Sequence, residues 1–152
     1  MSSTSPAGSA GIVLPFLGPY TASKFAVEAL AETASYELAP MGIGTTILQP
    51  GAYGTNFLGN CIQPKDAALI DQQPPVKAMF DAFGKGFEDR AKAGQLGDPT
   101  EIFAAVVELV EMDKSKRPLR KTVGDDIQQA VVPINQRCAE VQDHLLRAFG
   151  LR

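Results

Sequence analysis

The sequence predicts an α/β protein whose sheet is incomplete. Segments with helical apolar spacing alternate with short strand candidates in the order helix, strand, helix, helix, strand, helix. There are only two strand candidates, 44–49 and 121–123, and two short strands do not make an independent sheet. The longest helical segment, 19–39, carries more apolar girth than so small a sheet can cover, so the chain reads as part of a domain.

Residues 1–18, MSSTSPAGSAGIVLPFLG, are rich in Ser, Gly, Ala and Pro and read as loop. A helix is predicted over 19–39: Pro19 suits a first turn, and no Gly or Pro follows until Pro40. Ala22, Phe25, Ala26, Ala29, Leu30 and Thr33 form one apolar stripe, and Val27, Ala31, Ala34 and Leu38 form a second. Lys24, Glu28, Glu32 and Ser35 share one narrow polar line. Such a helix is expected to be buried on more than one side.

Thr45 to Gln49 then reads as a buried strand ended by Pro50-Gly51. The stretch 50–97 is loop-like at first, with a Pro74-Pro75 pair. Val76, Met79, Phe80, Phe83 and Phe87 then mark a helix face, weakened by Gly84 and Gly86; Phe80, Phe83 and Phe87 read as a core face, with the lining of a substrate pocket as the alternative. A helix over 98–112 starts with Asp98 as cap, Pro99 in the first turn and Glu101 placed to reach back. Its expected buried face is Ile102, Phe103, Val106, Leu109 and Val110. After the strand 121–123, Ile127, Val131, Ile134, Cys138, Val141 and Leu145 recur at helical spacing over 126–148. Pro133 means that this helix is kinked or begins there.

Bulk properties bound the function. With 152 residues, 45% hydrophobic and 20% charged, the chain has the balance of one globular domain. Net charge is −3, and no basic block stands out, so no nucleic-acid partner is expected. Cys61 and Cys138 belong to no CxxC pattern, which argues against zinc or a disulfide framework and makes a reducing cytoplasm the default. The apolar stretch AGIVLPFLG (Ala10 to Gly18) is too short to span a bilayer, and no Lys or Arg precedes it. No membrane partner and no metal are expected. The lone histidine, His144, reads as a surface helix residue, Asp125-Asp126 as helix-start charges, and Lys114 to Lys121 as a solvated turn.

The chemistry-bearing feature is GPYTASKFAVEAL, Gly18 to Leu30. On a helix Tyr20 and Lys24 lie one turn apart on one face. A free Tyr has a pKa of about 10, too high for efficient proton exchange near neutrality. A fixed ammonium nearby favours the phenolate, and each unit of lowering corresponds to roughly 1.4 kcal/mol. Spacing alone more often marks a surface pair worth roughly 0.2–0.5 kcal/mol.

The surroundings of the pair are more specific. YTASKFAVEAL resembles the active-site helix of the short-chain dehydrogenase/reductase family, with its Tyr-x-Ala-Ser-Lys form of the Tyr-x-x-x-Lys motif. ILQPGAYGTNF supplies the family's strand ending in Pro50-Gly51, with Thr55 following. Residues 56–95 match its variable substrate-binding segment, while DPTEIFAAVVELV and RPLRKTVG resemble its last helix and last strand.

The resemblance implies the C-terminal portion of a Rossmann-like doubly wound parallel sheet, and an oxidoreductase acting on a small carbonyl or alcohol with NAD or NADP, NADP being slightly favoured by family habit. It implies that Tyr20 is the general acid or base. Lys24 holds the nicotinamide ribose and tunes Tyr20. Pro50 and Gly51 shape the backbone near the nicotinamide, and Thr55 contacts its carboxamide or the phosphates. A homo-oligomer through helix 19–39 is implied for a full domain.

Two departures accompany it. At the family's Ser position this chain has Ala7, and Ser2-Ser3 resemble the family's Ser pair four residues further upstream. An insertion in STSPAGSAG reconciles the two and assigns the role to Ser3, with Ser5 and Ser9 as alternatives; all three also read as loop serines. The second departure is the family's nucleotide-binding half. AGSAG (Ala7 to Gly11) has no strand before it and no helix directly after it, so it is not a phosphate cradle. The chain is therefore expected to be the C-terminal half of such an enzyme and inactive alone. The rival expectation is a non-catalytic relic or an interaction module that pairs with a full-length relative.

Overall fold

Strand β1 (Ile47–Pro50) pairs in parallel with β2 (Arg120–Val123), and the register sets Ile47 opposite Arg120 and Pro50 opposite Val123. This computed structural model describes residues 12–55, 68–124 and 129–152. Among them the helices are α1 (Gly18–Leu38), α2 (Ala68–Asp71), α3 (Pro74–Lys92), α4 (Thr100–Glu111) and α5 (Val132–Ala148).

Strand β1 begins later than the expected 44–49, and its partner explains why. The Ile47 amide donates to the Leu119 carbonyl at 2.7 Å, and the residue before Leu119 is Pro118, which has no N–H to continue the ladder. Thr46 instead donates its hydroxyl to the Pro118 carbonyl at 2.9 Å. β2 matches the expected 121–123 with one residue added.

Side-chain alternation along the strands decides which helix lies on which face. Leu48 and Val123 pack with Tyr53, Ala105 and Leu109, so α4 covers one face, with Ile102 at its edge. Lys121 on β2 reaches Glu108 of α4 on that same side, at 2.9 Å. Gln49 and Arg120 point the other way, to α1 and α5. Helices therefore lie on both faces of a parallel sheet, the doubly wound arrangement that the family resemblance implies.

Helix α1 is oriented contrary to its apolar pattern. Its buried residues are Thr21, Glu28 and Ala31, so the polar line Lys24–Glu28–Glu32–Ser35 faces the sheet. Leu30 is 69% exposed and Val27 42%; the first stripe lies largely outside, while in the second Ala31 is buried and Ala34 and Leu38 are half-buried. The helix ends at a 3-10 turn, Ala39–Met41, where Pro40 cannot continue the ladder and Gly42 takes φ +72°.

Helix α4 corrects a second expectation. Ala105 and Leu109 are its buried positions, while Phe103 is 70% exposed and Val110 68%. The Asp98 carboxylate accepts from the Thr100 amide at 2.9 Å, so the cap forms as expected. Glu101 turns elsewhere and accepts from the Tyr53 hydroxyl. Helix α5 begins at Val132 with Pro133 in its first turn, so Pro133 starts the helix rather than kinking it. Val131 is fully buried at its entry and Leu146 near its end, whereas Cys138, Val141 and Leu145 of the expected stripe are exposed.

Candidate functional site

Tyr20 is the third residue of α1 and Lys24 lies one turn further on; both are half-buried. The Lys24 Nζ sits 5.4 Å from the Tyr20 ring centroid, so the structure brings the two together as the spacing predicts.

The polar face of α1 meets the sheet through Glu28. Its Oε1 accepts from the Gln49 Nε2 at 3.0 Å and from the Arg120 Nε at 2.7 Å. The same guanidinium donates through Nη2 to Glu32. The Gln49 Oε1 in turn accepts from the Asn135 Nδ2 of α5 at 2.7 Å. The Tyr36 hydroxyl donates to Glu32, and burial together with that carboxylate pushes the Tyr36 phenol well above the ordinary tyrosine range. Burial alone would weaken the charge on Arg120, but the two carboxylates hold its pKa above the ordinary value.

Because Gln49 directly precedes Pro50, this network seats α1 beside the Pro50–Gly51 corner. Along the helix Lys24 lies about 6 Å and Tyr20 about 12 Å from Glu28, towards the N-terminus. The hydroxyl of Thr21, next to Tyr20, is buried without a hydrogen-bond partner, as is the Asn135 Oδ1.

The corner itself is held from three sides. The Gly51 amide donates to the Val123 carbonyl at 2.7 Å. Gly124, at φ +125°, lies so close that a Cβ there would stand 3.1 Å from the Gly51 nitrogen. Tyr53 is buried, its hydroxyl donates to the Glu101 Oε2 at 3.1 Å, and its ring occupies the space that a Cβ on Gly97 would need. The Gly97 amide closes this strap on the Ala52 carbonyl at 2.9 Å. Thr55 is exposed on the turn beyond, with its amide donating to the Tyr53 carbonyl. Ser3, Ser5 and Ser9 lie outside the described residues.

Four residues before Tyr20, Phe16 adopts φ +67°, a left-handed conformation uncommon for a bulky residue. It directs the ring onto α3, edge-to-face with Phe80 at 5.2 Å and tilted against Phe83 at 6.0 Å. Phe80, Phe83 and Phe87 are therefore not a core face: no described residue of α3 is buried, and these rings make a half-open apolar wall near the start of α1. His144 is exposed on α5, as expected.

Sequence reasoning missed Arg120, Gln49, Asn135, Tyr53, Gly97 and Gly124. One signal was present for Arg120. Two carboxylates on the single polar line of an otherwise apolar helix call for a buried cation if that line faces inward.

The family model described as short chain dehydrogenase matches residues 3–66. The chain is 30% identical over 118 residues to the uncharacterized oxidoreductase YusZ of Bacillus subtilis, a match covering 74% of this chain and 39% of that protein. It is 31% identical over 115 residues to a 3-ketodihydrosphingosine reductase of Bacteroides thetaiotaomicron, covering 76% and 40%. Human 11-beta-hydroxysteroid dehydrogenase type 2 is 38% identical over 84 residues, covering 55% of this chain and 20% of the enzyme. The fold is similar to that of a short-chain dehydrogenase from Streptomyces avermitilis, with a TM-score of 0.52 and 23% identity over 92% of this chain and 47% of that structure. The chain thus spans under half the length of these proteins. No helix among the described residues is long and apolar enough to cross a membrane.

Proposed function

Since the chain belongs to the short-chain dehydrogenase/reductase family, a family of oxidoreductases, we propose that it interconverts a carbonyl and an alcohol using NAD or NADP, with Tyr20 as acid and base. The observation that carries this reading is the stacking of Lys24 on Tyr20 at the start of α1, on a helix tied to the residue before Pro50–Gly51.

The described residues fit the ribose–nicotinamide end of such a cofactor. Lys24 is half-buried and able to donate to ribose hydroxyls, and Gly51 offers a buried backbone corner without a side chain. Thr55 follows on an exposed turn, within the segment expected to meet the carboxamide or the phosphates. The dinucleotide, when bound, supplies or accepts a hydride. The Tyr20 hydroxyl gives its proton to the substrate oxygen as the carbonyl is reduced and takes it back in oxidation. The Lys24 ammonium favours the phenolate left behind, and Ser3 orients the substrate oxygen.

The aromatic wall of Phe16, Phe80 and Phe83 supports a substrate with an apolar body. The names of the relatives, a 3-ketodihydrosphingosine reductase and a hydroxysteroid dehydrogenase, point the same way. The test is oxidation of NADH and of NADPH across a panel of apolar ketones, by the chain alone, where no turnover is expected, and by the chain joined to a nucleotide-binding half of the family, where turnover is expected. Tyr20→Phe is expected to abolish turnover while leaving cofactor binding intact. Turnover retained in Tyr20→Phe overturns the proton-transfer role.

The exposed Val27 and Leu30 on α1 favour a second reading, an interaction module that pairs with a full-length relative or another copy through this helix. Light scattering across a concentration series tests it. Leu30→Glu is expected to abolish any association, and an association unaffected by that change counts against this surface.

A further inference from the structure

We infer that Arg120 is a positioning residue for the helix that carries Tyr20 and Lys24: through Glu28 and Glu32 it sets where α1 sits over the Pro50–Gly51 corner. The inference rests on the proposed role of Tyr20 and Lys24, and concerns how they are aimed.

Apolar packing gives α1 little direction. Its three buried residues are Thr21, Glu28 and Ala31, so its one fully buried apolar side chain is small, while Phe25, Ala34 and Leu38 are half-buried. Hydrophobic contact is also non-directional. The guanidinium, by contrast, is planar and rigid, and its donors diverge in a fixed fork. Arg120 uses two of them on carboxylates one helical turn apart. One contact would leave α1 free to slide or roll about it; two contacts along the axis define both its axial position and its rotation.

The anchor is buried. The Arg120 side chain is 7% exposed, Glu28 3% and Glu32 21%. Water therefore competes little for these hydrogen bonds. The network also spans the layers. Gln49 of β1 takes the same Glu28 oxygen and passes its own carbonyl to Asn135 of α5. Helix α1, both strands and α5 thus meet at one cluster, immediately before Pro50. A shift of α1 would displace Tyr20 and Lys24 relative to Gly51 without unfolding either element.

The test is a distance measurement that needs no cofactor. In the full chain carrying Cys61→Ser and Cys138→Ser, nitroxide labels are placed at exposed Ser23→Cys on α1 and Ala104→Cys on α4. Double electron–electron resonance is expected to give a single narrow distance. Arg120→Met is expected to lose that narrow peak while helical circular dichroism is kept, and Arg120→Lys to recover it only in part. If Arg120→Met does not fold, the triple variant Arg120→Met, Glu28→Leu, Glu32→Leu carries the test. It removes the stranded charges and restores apolar contact, yet the peak is expected to stay broad. A folded variant without the guanidinium that keeps the wild-type distribution overturns the inference. Such a result leaves the role of Tyr20 untouched, since that stands on the loss of turnover in Tyr20→Phe.

Discussion

Gln49 Nε2 lies 3.0 Å from Glu28 Oε1 in the layer between β1 and α1, and each residue is only 2% exposed. A side-chain amide and a carboxylate thus meet where a strand and helix of this kind usually exchange apolar side chains. Glu28 draws its counter-charge from Arg120, and Gln49 draws its second partner from Asn135. Glu28 and Gln49 are tolerated inside because neighbouring polar groups satisfy them, while the Asn135 Oδ1 at the end of the network has no partner.

Gln49→Leu is expected to destabilise the protein by about 1–3 kcal/mol, because Glu28 loses a donor and Asn135 an acceptor in a buried layer. Gln49→Glu should cost more, since it places a second carboxylate against Glu28. Urea denaturation reads both. A lower midpoint with an unchanged slope is the expected outcome, and a midpoint equal to wild type contradicts it.

Arg120→Ala strands Glu28 and Glu32 without their cation and is expected to cost about 3–5 kcal/mol. Glu28→Gln should cost less, because the amide still accepts from Arg120 and Glu32 still balances its charge. Thermal and urea melts of the two variants compared side by side give the ranking. The reverse order would show that Glu32 does not balance the guanidinium once Glu28 is neutral.

At the Pro50–Gly51 corner, Gly97→Ala pushes a methyl into the Tyr53 ring and is expected to cost about 1–3 kcal/mol. Tyr53→Val removes the obstacle at the loss of the bond to Glu101. In the double variant the cost of Gly97→Ala should largely vanish. A double-mutant cycle measures this coupling, and additive effects would mean that the two side chains do not compete for space.

Tyr36 supplies an alkaline signature. Its phenol is held above the ordinary range first by burial and then by the Glu32 carboxylate, so the fold favours the protonated form. The sign follows from linkage: this contribution is complete below the unfolded value of about 10 and fades as pH rises through the folded value. Stability of the wild type relative to Tyr36→Phe should therefore be constant at neutral pH and fall above pH of about 10. A difference that stays flat into that alkaline range argues that Tyr36 does not hold its proton on Glu32.

Much of the fold was legible from local pattern. The helices over 18–38, 74–92, 100–111 and 132–148 and both strands follow from spacing, from prolines at helix starts and from the Asp98 cap. These are local signals, carried by residues a turn or two apart. The burial faces of α1 and α4 were not legible, because both helices are apolar on more than one side. Leu30 and Phe103 have the chemistry of core residues and stand outside, while Glu28 stands inside.

Tyr20 and Lys24 meet because four residues on one helix is a local spacing, and any chain with that helix would bring them together. Periodicity along α1 establishes that its faces differ, but cannot say which face another element covers. That was decided by Arg120, 92 residues beyond Glu28, which reaches it only because β2 pairs with β1 in a register that aims the guanidinium at α1. A buried carboxylate needs a counter-charge, and in this chain tertiary pairing supplies it from a residue whose own neighbourhood, RPLRK, reads as a solvated turn.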